Sequence, residues 1–345
     1  MINANRSAHS SQQSGSPPYC LLLTAYCLAL PLLLNAGCAY APLRAPDTAI
    51  QPPSLPQELA AYYDYPEQMH PATIQPVRDH RRYRESLVQF PLSAGGFEPT
   101  EPIVEFEWFE TKAPGRRPAI VFNPILGGDY PLERGLCRSF AANGFHVALI
   151  HRKTLKISPE HQAARLELLL RQGVIRIRQV VDWMAADERV DPDRMGGFGI
   201  SMGGIAGVIA AAVEPRLRAH VVALAGGGIP DVLVTSKDRL LTKPLARYLA
   251  RNHMDLKTLE GLLRQEVKTD PIRLAPYVAP EHLFMFIAVA DRTIGRANAL
   301  RLWRAVGRPD VVFLPCGHYT AYFFLPYVKY ASLRFFQKEL ATTME

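Results

Sequence analysis

Cysteine is scarce in this chain, and the few present lack the spacing of a metal site. The five are Cys20, Cys27, Cys38, Cys137 and Cys316, with no CxxC pair and no Cys/His cluster. A zinc ribbon, a zinc finger and a disulfide-dense scaffold are excluded on that count. Also missing is any arginine- or lysine-rich stripe interleaved with aromatic residues, so the formal charge of +7 is not read as the footprint of a nucleic-acid binder. A basic balance of that size is compatible with life near anionic lipid. The chain does not lack apolar residues: 48% are hydrophobic and 21% charged, an ordinary globular composition. No metal, no cofactor and no nucleic-acid partner is expected.

What is there begins with an apolar run. Tyr19 to Leu34 is broken only by Thr24 and Pro31, and leads into Asn35-Ala36-Gly37-Cys38. A short apolar stretch ending in small residues predicts a signal peptide over residues 1–37 and an exported protein of the cell envelope. The Ala-Gly-Cys ending resembles the lipobox of bacterial lipoproteins. The resemblance implies cleavage before Cys38, lipidation of Cys38 and a membrane partner reached through that anchor. Ala39 follows the cysteine where an inner-membrane retention signal would carry Asp, which points to the outer membrane. A plain signal peptide and an uncleaved anchor are the alternatives, since Tyr19 to Tyr40 nearly spans a bilayer. Cys137 and Cys316 are open between two buried free thiols and a pair, because spacing does not show whether they meet.

Residues 38–80 hold eight prolines and are expected to act as a tether, because proline at that density blocks helix and central strand alike. Tyr62, Tyr63 and Tyr65 are costly to leave exposed and argue that part of the tether packs on the domain. From residue 81 to 345 strand and helix signals alternate. Runs at 85–91, 103–110, 118–123, 146–150, 194–200, 219–225, 283–290 and 310–315 read as strands. The spacing predicts helices over 133–143, 160–187, 202–213 and 320–341, the last bent at Pro326. This pattern is α/β: a mostly parallel central sheet with helices on both faces. The stretch at about 229–280 is longer than a crossover needs and carries helical patches at 239–252 and 257–266. It is read as a small helical cap inserted over the C-terminal edge of the sheet, with two ordinary surface helices as the alternative.

Gly199-Ile200-Ser201-Met202-Gly203 is the chain's single GxSxG motif, and Gly204 follows it. It sits between a strand run and a helix of small residues. A serine on such a turn has its hydroxyl exposed at the sheet's edge, with a helix N-terminus behind it. A hydroxyl is a weak nucleophile and needs a base, which in turn needs an orienting acid. Asp291 follows the 283–290 run and His318 closely follows the 310–315 run, so both stand at C-terminal strand ends. His146 and His220 open strands at the opposite edge, and His151 precedes the serine.

From about residue 85 onward these motifs resemble α/β-hydrolases, with the dienelactone-hydrolase-like and prolyl-oligopeptidase-like branches closest. The resemblance rests on Val190-Asp191-Pro192-Asp193-Arg194, GISMGG around Ser201, Ala290-Asp291 and Gly317-His318. It implies Ser201 as nucleophile, His318 as base and Asp291 as its orienting acid, with Asp231 as the rival acid. It also implies an oxyanion hole from the backbone N–H of Met202 and one from the loop after 118–123. Ile125 is favoured for the second donor, with Leu126 next. Asn123-Pro124 stands where the family often has His-Gly, and no HGGG run is present. The expected activity is hydrolysis of a small-molecule carboxylic ester through a covalent acyl-enzyme. Thioesterase and serine peptidase are the enzyme alternatives, although no propeller-like repeats precede the domain. A non-catalytic envelope lipoprotein on a hydrolase scaffold is the alternative from another class.

Overall fold

The computed structural model describes residues 43, 51–66, 71–126, 128–152 and 163–341. Cys38 and the apolar run before it lie outside these residues. The elements follow in chain order: α1 (Gln57–Ala61), β1 (Thr73–Asp79), β2 (Tyr83–Pro91), β3 (Ile103–Thr111), β4 (Arg117–Asn123), α2 (Pro131–Ala142), β5 (His146–Ile150), α3 (Ala163–Ala185), β6 (Val190–Ile200) and α4 (Met202–Val213). Then come β7 (Leu217–Ala223), α5 (Ile229–Thr235), α6 (Arg239–Arg251), α7 (Leu256–Glu266), α8 (Pro271–Leu274), β8 (Leu283–Ala288), α9 (Arg296–Ala305), β9 (Asp310–Leu314) and α10 (Leu325–Glu339).

The strands form one sheet in the order β1-β2-β3-β5-β4-β6-β7-β8-β9. The pairs from β1 to β5 are antiparallel, and every pair from β5 through β4 to β9 is parallel. Period-2 alternation divides each strand between the two faces. In β8, Phe284, Phe286 and Ala288 pack with α2 and α10, through Phe140 and Phe336. Leu283, Met285 and Ile287 of the same strand face the other way, toward Ile205 and Val208 of α4 and Leu302 of α9. Helices therefore cover both faces, as the alternation of apolar runs predicts.

The structure differs from the sequence expectation at two places. First, the proline-rich stretch contributes a strand to the sheet. Its end is β1, and Pro76 is tolerated there because β1 is an edge strand, where a missing N–H costs no ladder bond on the outer side. The three tyrosines behind α1 do pack: Tyr63 is fully buried, and the hydroxyls of Tyr62, Tyr63 and Tyr65 donate to Glu167, Thr269 and Asp182. Second, Pro326 does not bend a long helix. A 3-10 turn (Thr320–Phe324) ends there and Pro326 stands in the first turn of α10, where its missing N–H has no intrahelical partner to lose. Cys137 and Cys316 are both buried free thiols, which agrees with the first of the two readings open for them.

Candidate active site

Ser201 occupies the turn between β6 and α4 with φ 56° and ψ −118°, a left-handed conformation that side chains other than glycine seldom adopt. The turn is held by the Ser201 N–H, which donates to the Ala223 carbonyl at the end of β7 (2.8 Å). The glycines of the motif answer a steric need. A Cβ at Gly199 would stand 2.2 Å from the Gly203 carbonyl oxygen, and one at Gly203 would stand 2.0 Å from the Asn123 carbonyl oxygen. Helix α4 can therefore begin hard against β4 and β6, which lifts the hydroxyl clear of the sheet.

Two loops at the same sheet edge complete the arrangement. His318 follows β9, and its Nε2 lies 3.0 Å from Ser201 Oγ. Its Nδ1 lies 2.7 Å from Asp291 Oδ2, in the loop after β8. A carboxylate only accepts, so Nδ1 carries the hydrogen and Nε2 is left to accept from the serine hydroxyl. Asp291 is buried and is itself fixed, its Oδ1 accepting from the N–H groups of Thr293 (2.8 Å) and Ile294 (2.9 Å). Asp231 is engaged elsewhere: its carboxylate pairs with Arg264 (2.6 Å) and Arg301 (2.5 Å). The structure thus brings Ser201, His318 and Asp291 together and leaves the rival acid out. A serine, an imidazole and a carboxylate so linked can move a proton from hydroxyl to ring while the acid holds the ring's tautomer.

The cavity in front of Ser201 measures about 440 Å³. Ile125, Leu126, Met202 and Glu133 line it from the sheet side, and Val232, Leu233, Leu240 and Leu241 line it from the 229–280 insertion. The insertion therefore contributes a wall of the cavity and is more than surface decoration. Leu245 and Leu249 do not line the cavity: Leu245 is buried in the core, and Leu249 is partly buried against it. Met202 is the first residue of α4, where N–H groups have no intrahelical acceptor. Ile125 departs from the expectation in one respect: its N–H donates to Glu133 Oε1 (3.2 Å), so Glu133 must yield before Ile125 can meet an oxyanion.

Two acids at the site are not apparent from the motifs. Glu133 is buried, lines the same cavity as Ser201, and its Oε2 lacks a hydrogen-bond partner among the described residues. Asp238 caps α6 by accepting from the Leu240 N–H, and it also accepts from the hydroxyls of Thr293 (2.7 Å) and Tyr319. Burial works to raise its carboxyl, yet those hydrogen bonds hold it below the usual range. An Asp just ahead of an amphipathic run signals a helix start, but its bonds to Tyr319 and Thr293 arise only in the fold. The other strand-end histidines serve locally: His146 Nε2 lies 3.2 Å from the Arg189 carbonyl, and His220 Nε2 lies 3.0 Å from the Leu217 carbonyl.

No family model matches the chain. Two uncharacterized proteins of Mycobacterium tuberculosis, from strains CDC 1551 / Oshkosh and ATCC 25618 / H37Rv, are each 28% identical over 158 residues, which is 44% of this chain and 34% of theirs. The chain thus spans about a third of the length of the curated relatives it matches. Among solved structures it is similar to an acetyl xylan esterase from Paenibacillus sp. R4, with a TM-score of 0.65 and 16% identity over 84% of this chain and 97% of that one. It is also similar to acetyl xylan esterase 1 from Thermoanaerobacterium sp. JW/SL YS485, with a TM-score of 0.58 and 15% identity over 82% and 99%. A third is the α/β hydrolase GrgF from Penicillium sp. sh18, with a TM-score of 0.55 and 14% identity over 75% and 99%. Sheet order, strand directions and these likenesses agree that the chain has the α/β-hydrolase fold.

Proposed function

We propose that the protein is a serine hydrolase that cleaves a carboxylic ester through an acyl-enzyme on Ser201. The observation that carries the reading is the chain of two hydrogen bonds, Ser201 Oγ to His318 Nε2 and His318 Nδ1 to Asp291 Oδ2. His318 takes the hydroxyl proton as Ser201 Oγ attacks the acyl carbon, and returns it to the leaving alkoxide as the C–O bond breaks. Water then attacks the acyl-enzyme, its proton going to His318 and on to Ser201 Oγ as the carboxylic acid leaves. Asp291 keeps the imidazole oriented and stabilises its charged form. The N–H of Met202 and a second from Ile125 or Leu126 meet the oxyanion, which carries its charge only in the tetrahedral states.

The ester bond is favoured over the related thioester and amide bonds by the apolar cavity and by the esterase names of two fold neighbours. The space suits a substrate of drug-like size with an apolar acyl chain. The protein is exported and held to a membrane by lipid on Cys38, with the proline-rich stretch as spacer. A series of p-nitrophenyl esters graded by acyl length tests the activity. The reading requires turnover that depends on Ser201; a wild-type chain inert toward esters and active on thioesters or amides would displace it.

A further inference from the structure

The mouth of the cavity is unusually apolar for a surface. Leu240, Tyr319, Tyr322 and Phe323 are 71%, 60%, 56% and 57% exposed. Three of them, Leu240, Tyr319 and Tyr322, also line the cavity, and Phe323 extends the patch by packing edge-on against Tyr322 with ring centroids 5.8 Å apart. Contiguous exposed apolar side chains at a rim mark an interaction surface. Around them stand the exposed cations Lys237, Arg239, Lys243 and Arg292, none in an ion pair among the described residues. They belong to the same rim: the Lys237 N–H donates to the Arg292 carbonyl (2.9 Å), and Lys243 lies one helical turn beyond Arg239. The acid between Lys237 and Arg239 is Asp238, whose carboxylate is spent on Leu240, Thr293 and Tyr319.

We propose that this rim docks on an anionic lipid bilayer, so that the cavity opens onto the membrane and draws its ester from it. Charge and shape select this occupant. Aromatic and leucine side chains enter the headgroup and acyl boundary while lysine and arginine meet lipid phosphates. A neutral polysaccharide would use the aromatic rings but leave the four cations without purpose. A second copy docked through a two-fold axis would set like charges against each other. The substrate class, a long-chain acyl ester, rests on the esterase reading; the docking itself does not.

The test uses the full chain in vesicles, so that any N-terminal anchor is the same in every sample. Phe323, Arg239 and Lys243 do not line the cavity, and their variants leave it intact. Phosphatidylcholine vesicles with and without phosphatidylglycerol carry a long-chain ester, and a soluble acetyl ester is assayed alongside. Arg239→Glu/Lys243→Glu is expected to lower turnover of the vesicle-borne ester by about tenfold on the anionic vesicles while sparing the acetyl ester. In Phe323→Trp, the introduced tryptophan should shift to the blue and be quenched by lipids brominated in the acyl chain. An unquenched tryptophan, or equal vesicle turnover in the charge-reversed variant, overturns the docking. So does Phe323→Ser converting a dimer to a monomer in light scattering, or releasing the protein from acetylated polysaccharide without changing vesicle turnover. A wild type that turns over neither ester but shows the quenching would instead remove the esterase reading and keep the docking.

Discussion

Ser201 is held in a backbone conformation that is costly for its side chain and suits the chemistry proposed for it. A non-glycine residue at φ 56° and ψ −118° carries strain on the order of 1–3 kcal/mol. Ser201→Gly should therefore unfold at higher denaturant than wild type, by about 1 kcal/mol after the glycine's extra chain entropy is counted. A destabilised glycine variant in a urea titration would contradict the strained turn. The acid assignment has its own test. Asp291→Asn should lower kcat by roughly 10⁴-fold through loss of the correct imidazole tautomer, while Asp231→Asn should leave kcat within about tenfold, since it breaks only ion pairs with Arg264 and Arg301. The reverse order in steady-state rates would move the acid to Asp231. Ser201, Asp291 and His318 were legible in the sequence because each stands at or within a few residues of the end of an apolar strand run. Glu133 and Asp238 were not, because what makes them part of the site is a contact across the fold.

At the scale of elements, α6 gives two different roles to leucines one turn apart. Its period was visible in the sequence, but the face turned to the cavity depends on what lies beneath, and the structure puts Leu241 at the cavity and Leu245 in the core. Leu241→Trp should therefore lower kcat/KM for long acyl esters relative to acetyl esters, by about tenfold for the few methylenes displaced. Leu245→Ala should instead cost about 2–3 kcal/mol of stability with the preference unchanged. If the two variants exchange these effects in an acyl-length series and a urea titration, the assignment of faces is wrong. The junction of β3 and β5 carries a pH dependence. His151 directly follows β5, with Nδ1 2.8 Å from Glu105 and Nε2 2.7 Å from Glu107. Burial works to lower the imidazole, but the carboxylates of Glu107 and Glu105 hold it above its ordinary value. A raised folded value means stability that is fully present below the unfolded value near 6.5 and lost as pH rises through the folded one. The stability difference between wild type and His151→Gln should thus be larger at pH 5.5 than at pH 9, and a difference that grows with pH would refute the pairing.

At the scale of the molecule, the nine strands of the described residues set three loop ends at one edge of the sheet, and a helical insertion lines the space above them. The parallel half of that plan was readable from apolar runs of strand length. The edge strand β1 was hidden, because its seven residues are exposed throughout and contain Pro76, so no alternation marks them. The apolar leader ending at Cys38 adds a prediction about the mature protein: mass spectrometry of membrane fractions should find an N-terminal peptide that begins at Cys38 and carries lipid, lost in Cys38→Ser. An unmodified N-terminus would leave export standing and remove the anchor. The central claim is that Ser201 is the attacking group, and a fluorophosphonate probe tests it most directly. The account predicts one covalent adduct, mapped by peptide mass spectrometry to Ser201, absent in Ser201→Ala and slowed by orders of magnitude in His318→Ala; a folded wild-type protein that does not label, or that labels equally in Ser201→Ala, would contradict it.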